Sequence, residues 1–595
     1  MRTHPQLLKK LFATVIISLT TLSLLAAAVD SHQGNALRSG VIASTSESLF
    51  SPVVIYDSGG ASPLSIAVGD VNGDGRPDIV VANTNSNTVG VLLGNGNGTF
   101  QAAATYGSGG LYVLSVAVAD VNGDGKPDVV VGNACASNNC IGATVGVLLG
   151  NGDGTFQRVV TYDSGGGYAE SIAVADVNGD GKPDLLVANY SSQLGVLLGN
   201  GDGTFQSPAT YSSGGHAQSV VVADVNGDGK PDVVVANGVD SRQVGVLLGN
   251  GDGTFQPVVL YDSGGANPSS AAVADVNGDG KPDLLVVNRY SFNIGVLVGN
   301  GDGTFRRAVT YNSGGDYPAS VAVADVNGDG KPDMVVANNS FTVGILLGNG
   351  NGSFKPVVVY ASGGYSAESV AIADVNGDGK PDVLVANACS GGVCEGDGVV
   401  GVLLNKPTTN TALTSSLNPS IYGQKVTWTA TVTSSGSITP TGKVQFTWSG
   451  YTIGSATLNS SGVATLTKSN LNADSYPLTA VYSGDVNNLR STSAIVNQVV
   501  TETTSAAKIT STPNPSTLGR AVTFAATITS PTVTPTGPVT FMVGTKILGT
   551  AQLSGGKAKF TISTLAVGST KVTATYYGDS NIAKSSASVT QTVHQ

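Results

Sequence analysis

Short apolar runs at 65–71, 78–82, 88–93 and 100–106 are separated by turns rich in Gly, Asn and Asp, and the set of four returns with a period near fifty residues as far as position 404. Runs of this length bounded by such turns predict strands. Four strands per period over seven periods predict a β-propeller. The seventh period supplies only three runs, the last at 399–404, before Asn405-Lys406-Pro407 breaks the pattern. Upstream of the first period, Ser51-Pro52-Val53-Val54-Ile55-Tyr56-Asp57-Ser58-Gly59-Gly60 nearly repeats Gln256-Pro257-Val258-Val259-Leu260-Tyr261-Asp262-Ser263-Gly264-Gly265. Residues 50–56 are therefore expected to complete blade seven, closing the ring and removing its open edges.

After Pro407 the pattern changes to alternation, as in Val426-Thr427-Trp428-Thr429-Ala430-Thr431-Val432, which predicts half-buried sandwich strands. Asn418-Pro419-Ser420 returns as Asn514-Pro515-Ser516, and Thr439-Pro440-Thr441-Gly442 as Thr534-Pro535-Thr536-Gly537, so two tandem copies of about 95 residues follow the ring. Trp428 and Trp448, the two Trp of the chain, are expected in the core of the first copy. The fold class is all-β: a seven-bladed propeller at 50–407, then two β-sandwich domains at 408–501 and 502–595, whose pattern resembles bacterial Ig-like domain repeats.

Composition supports several domains rich in strands and turns. The chain has 595 residues, 80 of them Gly, and only 12% are charged. Charge is unevenly placed: 51–405 holds 34 acids and 13 bases, whereas 406–595 holds 4 acids and 12 bases. A propeller this acidic disfavours nucleic acid.

The acidity has a regular source. Asp70-Val71-Asn72-Gly73-Asp74-Gly75-Arg76-Pro77-Asp78 joins the first two runs, and nearly the same nine residues begin again at Asp120, Asp176, Asp224, Asp275, Asp325 and Asp374. Calcium takes about 6 to 8 oxygens, and three carboxylates in nine residues repel one another unless a cation compensates. The expected ligands of the first loop are Asp70, Asn72, Asp74, the Arg76 carbonyl and Asp78. Those of the next three are Asp120, Asn122, Asp124, Lys126 and Asp128; Asp176, Asn178, Asp180, Lys182 and Asp184; Asp224, Asn226, Asp228, Lys230 and Asp232. The last three sets are Asp275, Asn277, Asp279, Lys281 and Asp283; Asp325, Asn327, Asp329, Lys331 and Asp333; Asp374, Asn376, Asp378, Lys380 and Asp382. Up to seven Ca²⁺ are expected. Plain hairpin turns are the alternative. An EF-hand is excluded, because position twelve is Val81 and not Glu.

With these residues the ring resembles the FG-GAP or VCBS repeats of integrin α-subunit propellers and of bacterial secreted proteins, and the tandem copies resemble bacterial Ig-like domains. The resemblance implies that the run before each calcium loop is the innermost strand of its blade. It also implies that calcium loops and third-to-fourth turns share one face, with between-blade and second-to-third loops on the other. The second face varies along the chain, and its aromatic and basic residues Tyr112, Tyr168, Tyr190, Arg289, Tyr290, Phe292, Tyr317, Phe341 and Tyr365, with His216, form the candidate ligand face. Covering the rim of the ring is the competing role. Tyr56, Tyr106, Tyr162, Tyr211, Tyr261, Tyr311 and Tyr360 recur in every period and are expected to pack.

Arg2, Lys9 and Lys10, an apolar run at 11–25 and Ala26-Ala27-Ala28 predict a Sec-type signal peptide at 1–28, followed by a disordered leader at 29–49. An uncleaved anchor is the alternative. Cys135/Cys140 and Cys389/Cys394 lie in enlarged second-to-third loops, and their twin spacing in an exported chain favours two local disulfides. Of the four His, only His216 lies in the propeller, which leaves little material for a Ser-His-Asp or zinc-hydrolase site. The turns typified by 150–156 resemble the Asp-box turns of sialidase propellers, but they are equally sound hairpin turns. The expectation is a monomeric, secreted or cell-surface, non-catalytic protein without a membrane span after cleavage. Its partner is an extracellular protein, or a glycan if the propeller is a lectin; a glycosidase or polysaccharide lyase is the enzymatic alternative.

Overall fold

The computed structural model describes residues 41–42, 48–138, 140, 142–390 and 398–595. The expected signal peptide and most of the leader lie outside the described residues. The chain divides into two compact units, 1–406 and 407–595. Every regular element among the described residues is a strand.

In the first unit seven antiparallel sheets form the blades. Blade one runs Pro63–Gly69, Asp78–Asn83, Thr88–Leu92, Ala104–Gly107 from the axis outward. The second strand is a continuous apolar run because blades stack on both of its faces; all of Asp78–Asn83 is buried. The outer strand is largely exposed. Each core is shared by neighbours, as where Val71, Val80 and Val91 of blade one meet Val116, Val131 and Leu148 of blade two. Burying one such side chain contributes about 1.5–3 kcal/mol. The innermost strands are stitched around the axis by a repeated Ser: Val116 N–H donates to Ser65 Oγ (3.2 Å), Ile172 N–H to Ser115 Oγ (3.1 Å), and Ile66 N–H to Ser369 Oγ (3.4 Å) across the closure.

Blade seven is completed by the N-terminal strand Val54–Asp57, which pairs antiparallel with Val399–Leu403. Phe50 bridges to Asn405, as Phe100 bridges to Gly94 within blade one. In six blades a glycine is forced at the Gly94 position, since a Cβ would lie 2.0 to 2.2 Å from the carbonyl of the loop proline. Blade seven carries Asn405 instead. Its backbone N–H donates to Asp382 Oδ1 (2.7 Å), as Gly94 N–H does to Asp78. Its side-chain amide donates to Pro381 O (3.1 Å) and to Val326 O (2.7 Å). The second bond replaces one that other blades make from a turn glycine, such as Gly154 N–H to Val71 O (3.1 Å). Blade seven has no such turn because its outer strand arrives from the other end of the chain.

The reading of 29–49 as disordered throughout is corrected: Val41–Ile42 is a short strand parallel to Val358–Ala361 on the open edge of blade six. Ser48 is buried, and Leu49 N–H donates to the Tyr360 hydroxyl (3.1 Å).

The second unit contains two sandwiches. In the first, Thr409–Ser415, Val426–Ser434 and Val463–Lys468 face a sheet centred on Lys443–Trp448 and Asp474–Tyr482. Alternate residues of Val426–Ser434 are buried as the pattern predicts, and Trp428 is fully buried with its Nε1–H on Gln498 Oε1 (3.3 Å). Trp448 lies at the edge of that core against Tyr476. The second sandwich repeats the plan around Phe524, Phe541 and Tyr576.

Candidate functional site

The nine-residue loops follow each innermost strand. Gly73 and Gly75 have φ of 74° and 79°, conformations that exclude most side chains and turn backbone N–H groups inward. In the second copy Asp120 Oδ1 accepts from Gly123 N–H (2.7 Å), Asp120 Oδ2 from Gly125 N–H (2.8 Å), Asn122 Oδ1 from Asp124 N–H (2.8 Å) and Asp124 Oδ1 from Lys126 N–H (2.9 Å). The ninth residue has a different environment. Asp128 is fully buried, and its carboxylate accepts Val121 N–H (2.9 Å) and Gly150 N–H (2.7 Å), tying the loop to the turn of its own blade.

Burial raises the pKa of Asp78, Asp128, Asp184, Asp232 and Asp283, the two N–H bonds oppose the rise, and the first and fifth Asp of each loop add to it. The same causes push Asp333 up to about 6 and the more deeply buried Asp382 up to about 7. The structure thus brings the three carboxylates of each loop within electrostatic reach. It does not close them on one point: among the described residues no group of three or more Asp, Glu, His or Cys forms a metal-holding cluster. Loop six also differs in detail, with Asn327 Nδ2 donating to Asp333 Oδ2 (3.2 Å).

The donor chemistry fits calcium. Each carboxylate oxygen named in the second loop accepts one N–H except Asp120 Oδ1, which accepts a second weaker one from Asp124 N–H (3.2 Å). Hard anionic oxygens with spare lone pairs are what the ion takes.

The third-to-fourth turns lie beside these loops, as the Gly154–Val71 bond shows. Their own groups are satisfied locally: Thr155 Oγ donates to Asp153 Oδ1 (2.5 Å), and this bond holds the exposed Asp153 carboxyl below its ordinary range. They are hairpin turns closed on themselves. The recurrent tyrosines pack as expected, each ring edge-on to a Phe, from Tyr56 on Phe100 (5.4 Å) to Tyr360 on Phe50 (5.5 Å).

The opposite face collects the residues that do not repeat. Tyr190 stacks on His216 (4.5 Å) and meets Tyr168 edge-on (6.2 Å). Tyr317 lies between Phe292 (5.0 Å) and Tyr290 (6.3 Å), and Phe341 packs on Tyr365 (5.2 Å). Tyr112 is half-buried at the start of the blade-two inner strand. Tyr290, Phe341, Tyr365 and Tyr317 remain exposed. Arg289 reaches from blade five to Glu368 of blade seven (Nη1–Oε2 3.6 Å), where Ser366 Oγ (2.9 Å) and Asn339 Nδ2 also donate to the carboxylate.

Sequence reasoning missed Glu368 and Glu170. Both occupy the residue before the stitching Ser, where other blades have Leu64, Leu114, Gln218, Ser269 and Ala319. Aligning those seven triplets would have found them. Cys135 and Cys140 form the expected disulfide; Cys389 is also disulfide-bonded, and Cys394 lies outside the described residues.

A profile described as FG-GAP-like repeat matches residues 70–131, 135–187, 176–235, 224–286, 275–336 and 325–385, and one described as bacterial Ig-like domain (group 3) matches 413–501 and 509–594. No curated protein matches the chain. Among solved structures, BBS1N in complex with ARL6DN, soaked with lead, is 11% identical with a TM-score of 0.42, over 60% of this chain and 98% of that one. The fibronectin(III)-like modules of Clostridium thermocellum CbhA are 21% identical with a TM-score of 0.15, over 31% of this chain and 95% of that one. At these scores neither likeness bears on function. The repeat matches cover more than half of the chain and take in all seven loops, so the protein belongs to the FG-GAP-like repeat family and carries two bacterial Ig-like domains of group 3.

Proposed function

We propose that this is an exported, non-catalytic ligand-binding or adhesion protein whose propeller is held together by up to seven calcium ions and binds its ligand on the face opposite the calcium loops. The observation that carries the reading is the division between faces. One face repeats the same acidic loop seven times, and the other carries side chains that differ from blade to blade, aromatic or charged in most and small and polar in blade one. Repetition is what a scaffold needs; a ligand site needs local asymmetry. In each loop the first, third, fifth and ninth side chains and the seventh carbonyl would hold the ion. The first and fifth carboxylates, which now accept N–H groups of their own loop, would exchange some of those bonds for the ion.

Calcium bound only to the folded state stabilises it by about 2.7 kcal/mol per site at 100-fold saturation. Several such sites exceed the whole stability of an ordinary domain, about 5–15 kcal/mol. Calorimetry of the full chain should therefore show two transitions in calcium. EDTA should lower the propeller transition by 20 °C or more, on the order of the loss just given, and leave the Ig-like transition within a degree or two. A propeller transition indifferent to chelator would return the loops to plain turns.

A further inference from the structure

Five bulky aromatics on the variable face hold left-handed backbone: Tyr112 (φ 55°), Tyr168 (58°), Phe292 (54°), Tyr317 (51°) and Phe341 (62°). The corresponding turns of other blades place Ser62, Asn87, Asp240, Asn267 and Ser366 in the same conformation, with φ between 55° and 60°. Short polar side chains suit that region, whereas a bulky residue is strained there. The turn itself does not need an aromatic. Backbone strain that persists in this way clusters at ligand contacts.

The same face has a polar centre. Glu170 of blade three and Glu368 of blade seven sit at the entry end of innermost strands, at the bulge before the stitching Ser. Arg289 of blade five pairs with Glu368 and acts electrostatically on Glu170, so three blades converge on the axis of the ring. Glu368 is already neutralised by Arg289 and accepts from Ser366 and Asn339. Glu170 is half-buried among its neighbours, and this desolvation pushes its pKa up to about 7 against the pull of Arg289. A cationic ligand finds little uncompensated charge there, and the acidic propeller repels an anionic one. What remains is a set of oxygens and a guanidinium, with exposed aromatic faces on blades five to seven of the same face (Tyr290, Tyr317, Phe341 and Tyr365), the combination that stacks on sugar rings and hydrogen-bonds their hydroxyls.

Resting on the preceding reading that this is the ligand face, we propose that the mouth of the central channel binds a neutral oligosaccharide, with Phe341 and Tyr290 stacking on sugar rings and Glu170 and the Arg289–Glu368 pair taking the hydroxyls. The test is an array of neutral glycans probed with the full chain in calcium, followed by calorimetric titration of the best oligosaccharide. Saturable binding is expected, weakened at least tenfold by Glu170→Gln and by Phe341→Asn. Asn suits the left-handed backbone, so Phe341→Asn should keep or raise the melting temperature, which separates lost contact from lost fold. No neutral glycan bound, or binding within twofold of wild type in both variants, overturns the proposal. A protein partner whose binding is lost in Phe341→Asn, with the array blank, overturns the glycan assignment and leaves the ligand-face reading standing; melting indifferent to EDTA overturns the calcium reading alone.

Discussion

The two faces of the propeller are built from the same seven repeats and differ in what the repeats hold constant. On the acidic-loop face the blades repeat the same bonds: a buried Asp tying the loop to the chain beyond the third strand and a Tyr edge-on to a Phe in every blade, and a glycine under a proline carbonyl in six of the seven. On the other face the backbone turns recur but the side chains do not. Serine, asparagine and aspartate occupy the left-handed positions of some blades, and tyrosine or phenylalanine those of others. A ring needs seven equivalent joints, so selection for closure makes one face uniform. The face that joints do not constrain is where differences between blades can be used.

The comparison predicts opposite consequences for similar substitutions. Phe50→Ala empties a fully buried aromatic site at the closure and should cost about 3–5 kcal/mol. Tyr290→Ala, on the variable face and 56% exposed, should stay within about 0.5 kcal/mol. Urea unfolding in calcium gives both values, and equal losses would erase the distinction between the faces.

Asn405 tests the uniform face where its chemistry is improvised. Asn405→Ala leaves the buried carbonyl of Val326 and the part-buried carbonyl of Pro381 without their side-chain donor, a loss of about 1–3 kcal/mol. Asn405→Gly restores the residue of the other six blades but supplies no turn N–H, so it should be no more stable than Asn405→Ala. A stabilised glycine variant would show that the Val326 bond contributes nothing.

How much of this was legible in the sequence follows the same division. The period, the strand order, the closing strand and the packing tyrosines could be read because each is repeated and every copy corroborates the others. The Cys135–Cys140 bridge was legible from its five-residue separation within one loop. Asn405 read only as an interruption, since its role depends on Val326, which is 79 residues away in sequence. Glu170 was missed because its partner charge comes from a loop two blades on, and spacing along the chain carries no trace of that convergence. The strand Val41–Ile42 was read as leader because two residues are too few to form a pattern.

Glu170 gives a smaller, pH-dependent test. Its folded pKa of about 7 lies above the ordinary 4.5, so the fold binds the proton more tightly than the unfolded chain. The resulting stability is fully present below about pH 4.5 and is lost as pH rises through about 7. The full shift corresponds to about 3 kcal/mol, and partial access to water reduces it to nearer 1–2 kcal/mol. The loop carboxylates titrate in both proteins, so the useful quantity is the difference in melting temperature between Glu170→Gln and wild type. It should be near zero at pH 4.5 and favour the variant above pH 7.5; a difference independent of pH would mean that the carboxylate ionises freely.

The smallest effect separates strain kept for binding from strain without use. Phe341 is 51% exposed, so replacing it removes little buried area, and its φ of 62° is one that asparagine adopts readily. Phe341→Asn should therefore gain about 1 kcal/mol, and the same change at Tyr317, 39% exposed with φ of 51°, should gain less because its contacts with Phe292 and Tyr290 are given up. The matched control is Ser192→Asn, in the equivalent turn of blade three with φ of 66°, where no bulky ring is relieved and the change should stay within about 0.5 kcal/mol. If both aromatic variants lose stability instead, these rings hold the rim of the propeller together, and the variable face is scaffold like the other.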